Sequence, residues 1–262
     1  METVRRPVAL VTGGSRGIGA STVLALAEHG YDVVITYRNK AARAGKIADE
    51  AMQHGVQALC VGCDITQASD IERLFGELRN WKGRLDLLVL NAAGGLEREL
   101  VAADPNYPMR INCNAQVALL DAALPLMSVG STVIFVTSHW AHLHGQIEGI
   151  PDGYMPVAAT KLAGEQALRA RQPALAERGI RLLVVTGDMI EGTIMSKLMQ
   201  RIAPGRTEER EQKVGHLPTV TEMGQAIAGA AMDSTLPAGH TVVVGGTLDT
   251  FEFKGESTGG RA

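Results

Sequence analysis

Residues 12–19 of this chain read Thr-Gly-Gly-Ser-Arg-Gly-Ile-Gly and close a β-branched run, Val8–Thr12. That spacing suits phosphate binding. Gly13 permits a tight turn, Gly17 lets backbone approach a pyrophosphate, and Gly19 lets a helix pack closely on its strand. The following helix offers unpaired N–H groups and a partial positive charge to an anion. A glycine triplet alone is a weak sign; placed between a strand and a helix it is a specific one. The second strand ends Thr36-Tyr37-Arg38-Asn39, with no acid. An acid there would hold a ribose 2′-hydroxyl and repel a 2′-phosphate. Arg38, and Arg16 from the glycine turn, can instead pair with a phosphate through their forked guanidinium groups. NADPH (NADP+) is therefore the expected cofactor, with NADH bound less well.

Other residues have chemistry at suggestive spacings. His139, His142 and His144 lie close together, but no carboxylate or cysteine is near them in sequence. No metal is expected, and a place in a pocket wall competes with plain surface exposure. Trp140 beside them can stack on an aromatic ligand or simply fill space under a lid. Cys60 and Cys63 form a C-x-x-C, yet on a strand an odd offset sends two side chains to opposite faces. Without a second pair they read as structural thiols. Three cysteines are too few for a disulfide framework, which points to a reducing cytoplasm.

The elements that must position these groups alternate. Strands are predicted at Val8–Thr12, Asp32–Tyr37, Gln57–Cys63, Leu85–Leu90, Thr132–Thr137, Arg181–Thr186 and Thr241–Val244. Helices are predicted at Ala20–His29, Ala41–His54, Ser69–Trp81 and Val157–Arg171. Runs such as Leu87–Leu90 and Leu182–Val185 are apolar throughout and suit strands buried on both faces. Alternating strands and helices imply right-handed crossovers and a parallel sheet covered on both sides. At 262 residues, 45% apolar and 20% charged, the chain reads as one α/β, doubly wound Rossmann-type domain. Aromatics are only 4%, so small and aliphatic residues must fill the core. The net charge of −3 does not suggest nucleic-acid binding. The N-terminus lacks the apolar core of a signal peptide, and no run of about 18 apolar residues predicts a membrane span.

Two stretches interrupt the alternation. Ser138–Pro156 is rich in His and Gly. Thr193–Pro218 joins an apolar stripe (Ile194, Leu198, Met199, Ile202) to the charged run Arg206–Lys213, read as a solvated face or hinge. Such long excursions are usually functional. Residues of about 190–217 are expected to form a lid, and about 252–262 a flexible tail.

As a set, these motifs resemble the short-chain dehydrogenase/reductase family over roughly residues 7–250. The family pattern Thr-Gly-x-x-x-Gly-x-Gly matches residues 12–19, and its Asn-Ala-Gly-type element matches Asn91-Ala92-Ala93-Gly94. By resemblance, Asp64 contacts adenine, Thr193 lies near the nicotinamide amide, and Gly245-Gly246 match the closing glycines. Ser15, Ile18, Tyr37, Asn39, Ile65 and Gly187 complete the expected cofactor-binding set. The resemblance also implies that Ser138 bonds the substrate carbonyl and that Asn112 holds a relay water. Lys161 would bind the nicotinamide ribose. A homo-oligomer is a further implication.

One member of that set is missing. The family's tyrosine stands four residues before the lysine, on the same helix face, and position 157 is Val. The nearest phenol is Tyr154, in the loop before Pro156. Three proton sources stay open: a side chain of the insert (Tyr154, His139, His142 or His144), a water relayed by Asn112 and Lys161, or a hydroxyl of the substrate. The expected function is NADPH-dependent reduction of a hydrophobic, aromatic polyketide-type ketone, such as an angucycline-type antibiotic precursor. The competing expectation is a catalytically silent NADP(H)-binding sensor.

Overall fold

The computed structural model describes residues 5–193, 196–197 and 204–255. Seven strands form one parallel sheet: β1 (Val8–Val11), β2 (Asp32–Tyr37), β3 (Ala58–Gly62), β4 (Leu87–Leu90), β5 (Thr132–Ser138), β6 (Arg181–Gly187) and β7 (Thr241–Val244). Their spatial order is β3-β2-β1-β4-β5-β6-β7. The order reverses between β1 and β4, and in such sheets the crevice at the carboxyl ends of the strands beside the reversal takes the ligand.

Strands β1, β2, β4, β5 and β6 are buried on both faces because each alternates between two cores, whereas the edge strands β3 and β7 are only partly buried. Val8 and Leu10 enter one apolar cluster with Leu88 and Leu90; Ala9 and Val11 enter the other with Leu87 and Val89. On the first face pack α3 (Ala68–Trp81) and α6 (Ala115–Ala123), with Leu74, Leu78, Leu119 and Leu120 in that core. On the second pack α1 (Gly17–Glu28) and α2 (Ala41–Met52). Helix α2 buries only Ala44, Ala48 and Ala51, so small residues let it sit close to the sheet. This is the aliphatic, small-residue core that the composition implies.

Several elements were not legible as such. These are α4 (Arg98–Ala103), α5 (Tyr107–Met109), a π-helical turn at Arg110–Asn114 leading into α6, α9 (Gln172–Glu177) and α11 (Val220–Met232). Between α6 and α9 lie α7 (His139–His142) and α8 (Met155–Arg169). Helix α8 begins two residues before the predicted start, with Pro156 in its first turn and Tyr154 at its N-cap. Helix α11 has a capping box, Thr219 with Glu222, a Thr-x-x-Glu signal that sequence reading could have used.

The charged run forms α10 (Arg206–Val214). It is not only a solvated face, because the Arg210 side chain is 9% exposed and paired with Asp188. The apolar stripe residues Ile194, Leu198, Met199 and Ile202 lie outside the described residues, as do residues 256–262 of the expected tail. Residues 252–255 are tied down: Ile147 and Phe253 form an antiparallel bridge, and Glu148 N–H donates to the Glu252 carbonyl. Among the described residues no helix is long and apolar enough to cross a membrane.

Candidate active site

The glycine turn is built by backbone and by one threonine. The Thr12 hydroxyl accepts hydrogen bonds from the backbone N–H groups of Asn91 and Ala92 at 2.9 and 3.0 Å. The Asn91 amide returns a bond to the Thr12 carbonyl at 2.8 Å. The ends of β1 and β4 are thereby locked together at the point where the strand order reverses. Gly13 and Gly17 have φ of +69° and +55°, which disfavours any side chain. A Cβ on Gly19 would collide with the Gly13 carbonyl, so this glycine sets how closely α1 approaches β1.

A cleft of about 600 Å3 opens from this turn. Its walls include Gly13, Ser15, Arg16, Gly17, Ile18, Gly19, Tyr37, Arg38, Asn39, Asp64, Ile65, Asn91, Ala92, Ala93 and Thr193, all of them anticipated. Lys40 and Arg43 also line it, and sequence reading missed both. Their signal was present, since they follow Arg38 directly at the start of α2. Four exposed cations thus border one cleft. Arg38 is steered by Tyr107, whose hydroxyl accepts from its guanidinium at 2.9 Å. The backbone cradle and the cation group fit an adenine dinucleotide with an extra phosphate.

A second cavity, about 240 Å3, continues from the first and shares Ile18, Asn91, Ala93 and Thr193 with it. Gly94, Ser138, His139, Trp140, Tyr154, Val157, Lys161 and Gly187 line it, with Leu96, Met189, Ile190 and Phe251 adding apolar surface. Ser138 ends β5, and its Oγ accepts from the Ala141 N–H, capping α7. Tyr154 Oη lies 3.0 Å from Ser138 Oγ. Either hydroxyl can donate in that bond. Whichever does, the other's proton is left for an acceptor in the cavity.

Burial raises the Tyr154 phenol, and its bond with Ser138 opposes the shift. The phenol is therefore a proton donor at neutral pH, not a phenolate. Burial pushes Lys161 down to about 8, against the charge of Glu165 one turn along α8. Its ammonium is thus poised to be lost just above neutrality.

The remaining candidates are placed differently. Asn112 sits in the π-helical turn. Its amide donates to the Gly94 carbonyl at 2.9 Å and to Thr160 Oγ1 at 3.0 Å, and its Oδ1 accepts from Gly94 N–H at 3.1 Å. The side chain is fully used in stitching Gly94 to α8, and it is not in the cavity wall. His142 is also outside that wall; its Nδ1 contacts both Glu165 oxygens at 2.9 Å. His139 lines the cavity, but both ring nitrogens are committed, to Thr186 Oγ1 at 3.0 Å and to the Gly246 carbonyl at 2.9 Å. A carbonyl only accepts, so Nε2 carries the proton. Burial lowers His139 to about 4 and keeps the ring neutral. His144 is half-buried and away from the cavity. Burial pushes the Cys63 thiol up to about 12, which makes it a poor nucleophile.

Comparisons with known proteins identify the family. The chain matches the family described as short chain dehydrogenase over residues 7–202. A 1-cyclohexenylcarbonyl-CoA reductase from Streptomyces collinus is 30% identical over 250 residues, covering 93% of this chain and 87% of that protein. A hydroxynaphthalene reductase from Aspergillus fumigatus is 32% identical over 203 residues, covering 76% and 71%. Among solved structures, the promiscuous reductase LugOII, which catalyses keto-reduction at C1 during lugdunomycin biosynthesis, aligns with a TM-score of 0.77 at 26% identity. The alignment covers 92% of this chain and 98% of that one. A blue fluorescent protein from a metagenomic library, in complex with NADPH, aligns with a TM-score of 0.75 at 27% identity, covering 94% and 99%.

Proposed function

This chain belongs to the short chain dehydrogenase family, and we propose that it is an NADPH-dependent ketoreductase acting on a hydrophobic, aromatic polyketide-type ketone. It is an oxidoreductase; the cofactor preference, the ketone class and the proton source are the proposal. One observation carries the reading: the Tyr154 hydroxyl sits 3.0 Å from Ser138 Oγ, in a cavity that Lys161 also lines. A phenol from outside the usual helix position thereby reaches the serine.

The nicotinamide cofactor, when bound, supplies the hydride. The protein does the rest. Arg16 and Arg38, with Lys40 and Arg43, would hold the 2′-phosphate, and the helix α1 N-terminus would hold the pyrophosphate. Lys161 would hold the nicotinamide ribose. Ser138 and Tyr154 bind the carbonyl oxygen, and Tyr154 delivers its proton to the developing alkoxide. Positioned acid catalysis of this kind contributes about 10²–10⁴-fold. Val157, where the family's phenol would stand, widens the apolar wall instead. Trp140 and Phe251 supply aromatic surface for a flat ring system. The names of the hydroxynaphthalene reductase and of LugOII favour polyphenolic ring ketones and a place in antibiotic biosynthesis.

The Streptomyces collinus relative favours a second substrate for the same machinery. A 1-cyclohexenylcarbonyl group has a C=C conjugated to its carbonyl. Ser138 and Tyr154 would then hold the oxygen of the enolate left by hydride addition at the β-carbon, and a proton from solvent at the α-carbon would complete the saturated product.

The test is label transfer. NADPH carrying deuterium at the reactive carbon is mixed with a panel of bicyclic and tricyclic aryl ketones and one α,β-unsaturated acyl thioester. Deuterium on a carbinol carbon is the expected result; deuterium on an alkyl carbon identifies the second reading. NADPH that binds tightly and labels no carbonyl compound would overturn both and leave the silent binding protein.

A further inference from the structure

The substrate cavity has a wall that comes from three distant parts of the chain. Asp188 follows β6, Phe251 precedes the residues paired with the Ile147 segment, and Arg210 belongs to α10. Asp188 and Phe251 line the cavity; Arg210 does not. Arg210 nevertheless holds them both. Its Nε donates to both Asp188 oxygens at 3.0 Å, and its Nη2 donates to Oδ2 at 2.7 Å. Its guanidinium lies 3.9 Å from the centre of the Phe251 ring. The same ring meets the neutral His139 edge-on, with centroids 5.9 Å apart. Phe251 is thus held by a stacked cation and by an imidazole that is itself fixed at both nitrogens.

The pair sits in a closed space. The Asp188 and Arg210 side chains are 2% and 9% exposed. A Cβ on Gly246 would lie 2.8 Å from Asp188 Oδ2 and 3.0 Å from Arg210 Nη2. Breaking one member of a buried pair leaves an uncompensated charge, so the assembly keeps one geometry or is lost. A second arginine of α10, Arg206, donates to the Gly149 carbonyl at 3.0 Å and ties the same helix to the His-rich insert.

We propose that Arg210 is a positioning residue that fixes Phe251 as a rigid wall of the substrate cavity, so that the Asp188–Arg210–Phe251 assembly sets which ring systems fit. The proposal deepens the ketoreductase reading and rests on it for its kinetic arm only. Arg210 acts without touching the ligand. It holds the ring and neutralises Asp188, so the assembly presents apolar surface and no net charge to the ketone. Lysine in its place keeps the charge and loses the planar fork and the stacking.

The experiment uses the full chain with Arg210→Lys and Phe251→Ala, each also in a Trp81→Phe background so that Trp140 is the one tryptophan. Acrylamide quenching of Trp140 then reports opening of the cavity without any substrate. Arg210→Lys should raise the quenching constant and raise KM for the best ketone about tenfold, the scale of one lost charge-assisted hydrogen bond. NADPH affinity should stay within about twofold, because neither Arg210 nor Phe251 lines the cation-bordered cleft. Phe251→Ala should shift preference toward larger fused-ring ketones. Unchanged quenching in Arg210→Lys would overturn the proposal even if no ketone were ever found. Changed quenching with unchanged KM and unchanged ring-size preference would overturn the specificity role. Equal losses in NADPH affinity and ketone KM would overturn it as well, by marking a general structural role.

Discussion

The cofactor cleft and the substrate cavity share a border and are built in opposite ways. The cleft is made of backbone turns and is bordered by the exposed cations Arg16, Arg38, Lys40 and Arg43. The cavity is made of side chains whose polarity is already spent: His139 on Thr186 and Gly246, Asp188 on Arg210, and Asn112 on Gly94 and Thr160 just behind the wall. The contrast teaches where to look for chemistry. In the cleft the exposed cations are the candidate ligand contacts. In the cavity the polar groups left to act on a ligand are chiefly Ser138, Tyr154 and Lys161.

Substitutions can break this contrast or sharpen it. The largest effect is expected for Lys161→Met, which removes the one ammonium in the cavity wall among the described residues. Turnover should fall on the order of 10²–10⁴-fold, as for loss of a group that assists proton transfer. In the native enzyme the same lysine should set an alkaline limb. Its ammonium is present below about 8 and lost above it, so kcat/KM should decline as pH rises through that value. A flat profile to pH 9.5 would show that its charge is not needed.

On the cleft side, Arg38→Ala should reduce the preference for NADPH over NADH by about ten- to a hundredfold, the value of a charge-assisted contact. Parallel titrations with the two cofactors measure it. An unchanged ratio would mean that Arg38 only braces Tyr107.

A smaller effect concerns stability. His139 titrates near 4 when folded against 6.5 when unfolded. The unfolded chain therefore binds a proton that the native state refuses. The stability this group contributes is complete above about 6.5 and is lost as pH falls toward 4. Thermal melts between pH 7 and 4.5 should show the decline, and His139→Asn should flatten part of it. Smallest of all is His142→Ala. Its ring meets Glu165 outside the cavity, so kcat should change by no more than about twofold. A loss of a hundredfold would reinstate it as an acid.

The cleft was legible in the sequence because its parts are contiguous. Glycines 13, 17 and 19 and Arg38 act through local backbone and through their own chemistry, and the parallel sheet follows from the alternation of strands and helices. Asn91 to Gly94 also form one run. The cavity was legible only in part. Ser138 and Lys161 came from resemblance, but nothing local says that Tyr154 reaches Ser138, since that contact depends on how α8 begins and on the insert before it. The buried state of Arg210 was hidden inside a run of charges, because its partner Asp188 lies 22 residues away. His142 and Asn112 have the right residue types; their environments, set by Glu165 and Gly94, take them out of direct contact with a ligand.

The central claim is that a phenol arriving from position 154 does the work of the one missing at 157. The most direct measurement is single-turnover reduction of a labelled ketone by pre-bound, deuterated NADPH, comparing the native enzyme with Tyr154→Phe. The substitution should leave NADPH affinity unchanged and slow deuteride transfer by about a hundredfold or more. Transfer at the native rate in Tyr154→Phe would contradict it and assign the proton to water or to the substrate itself.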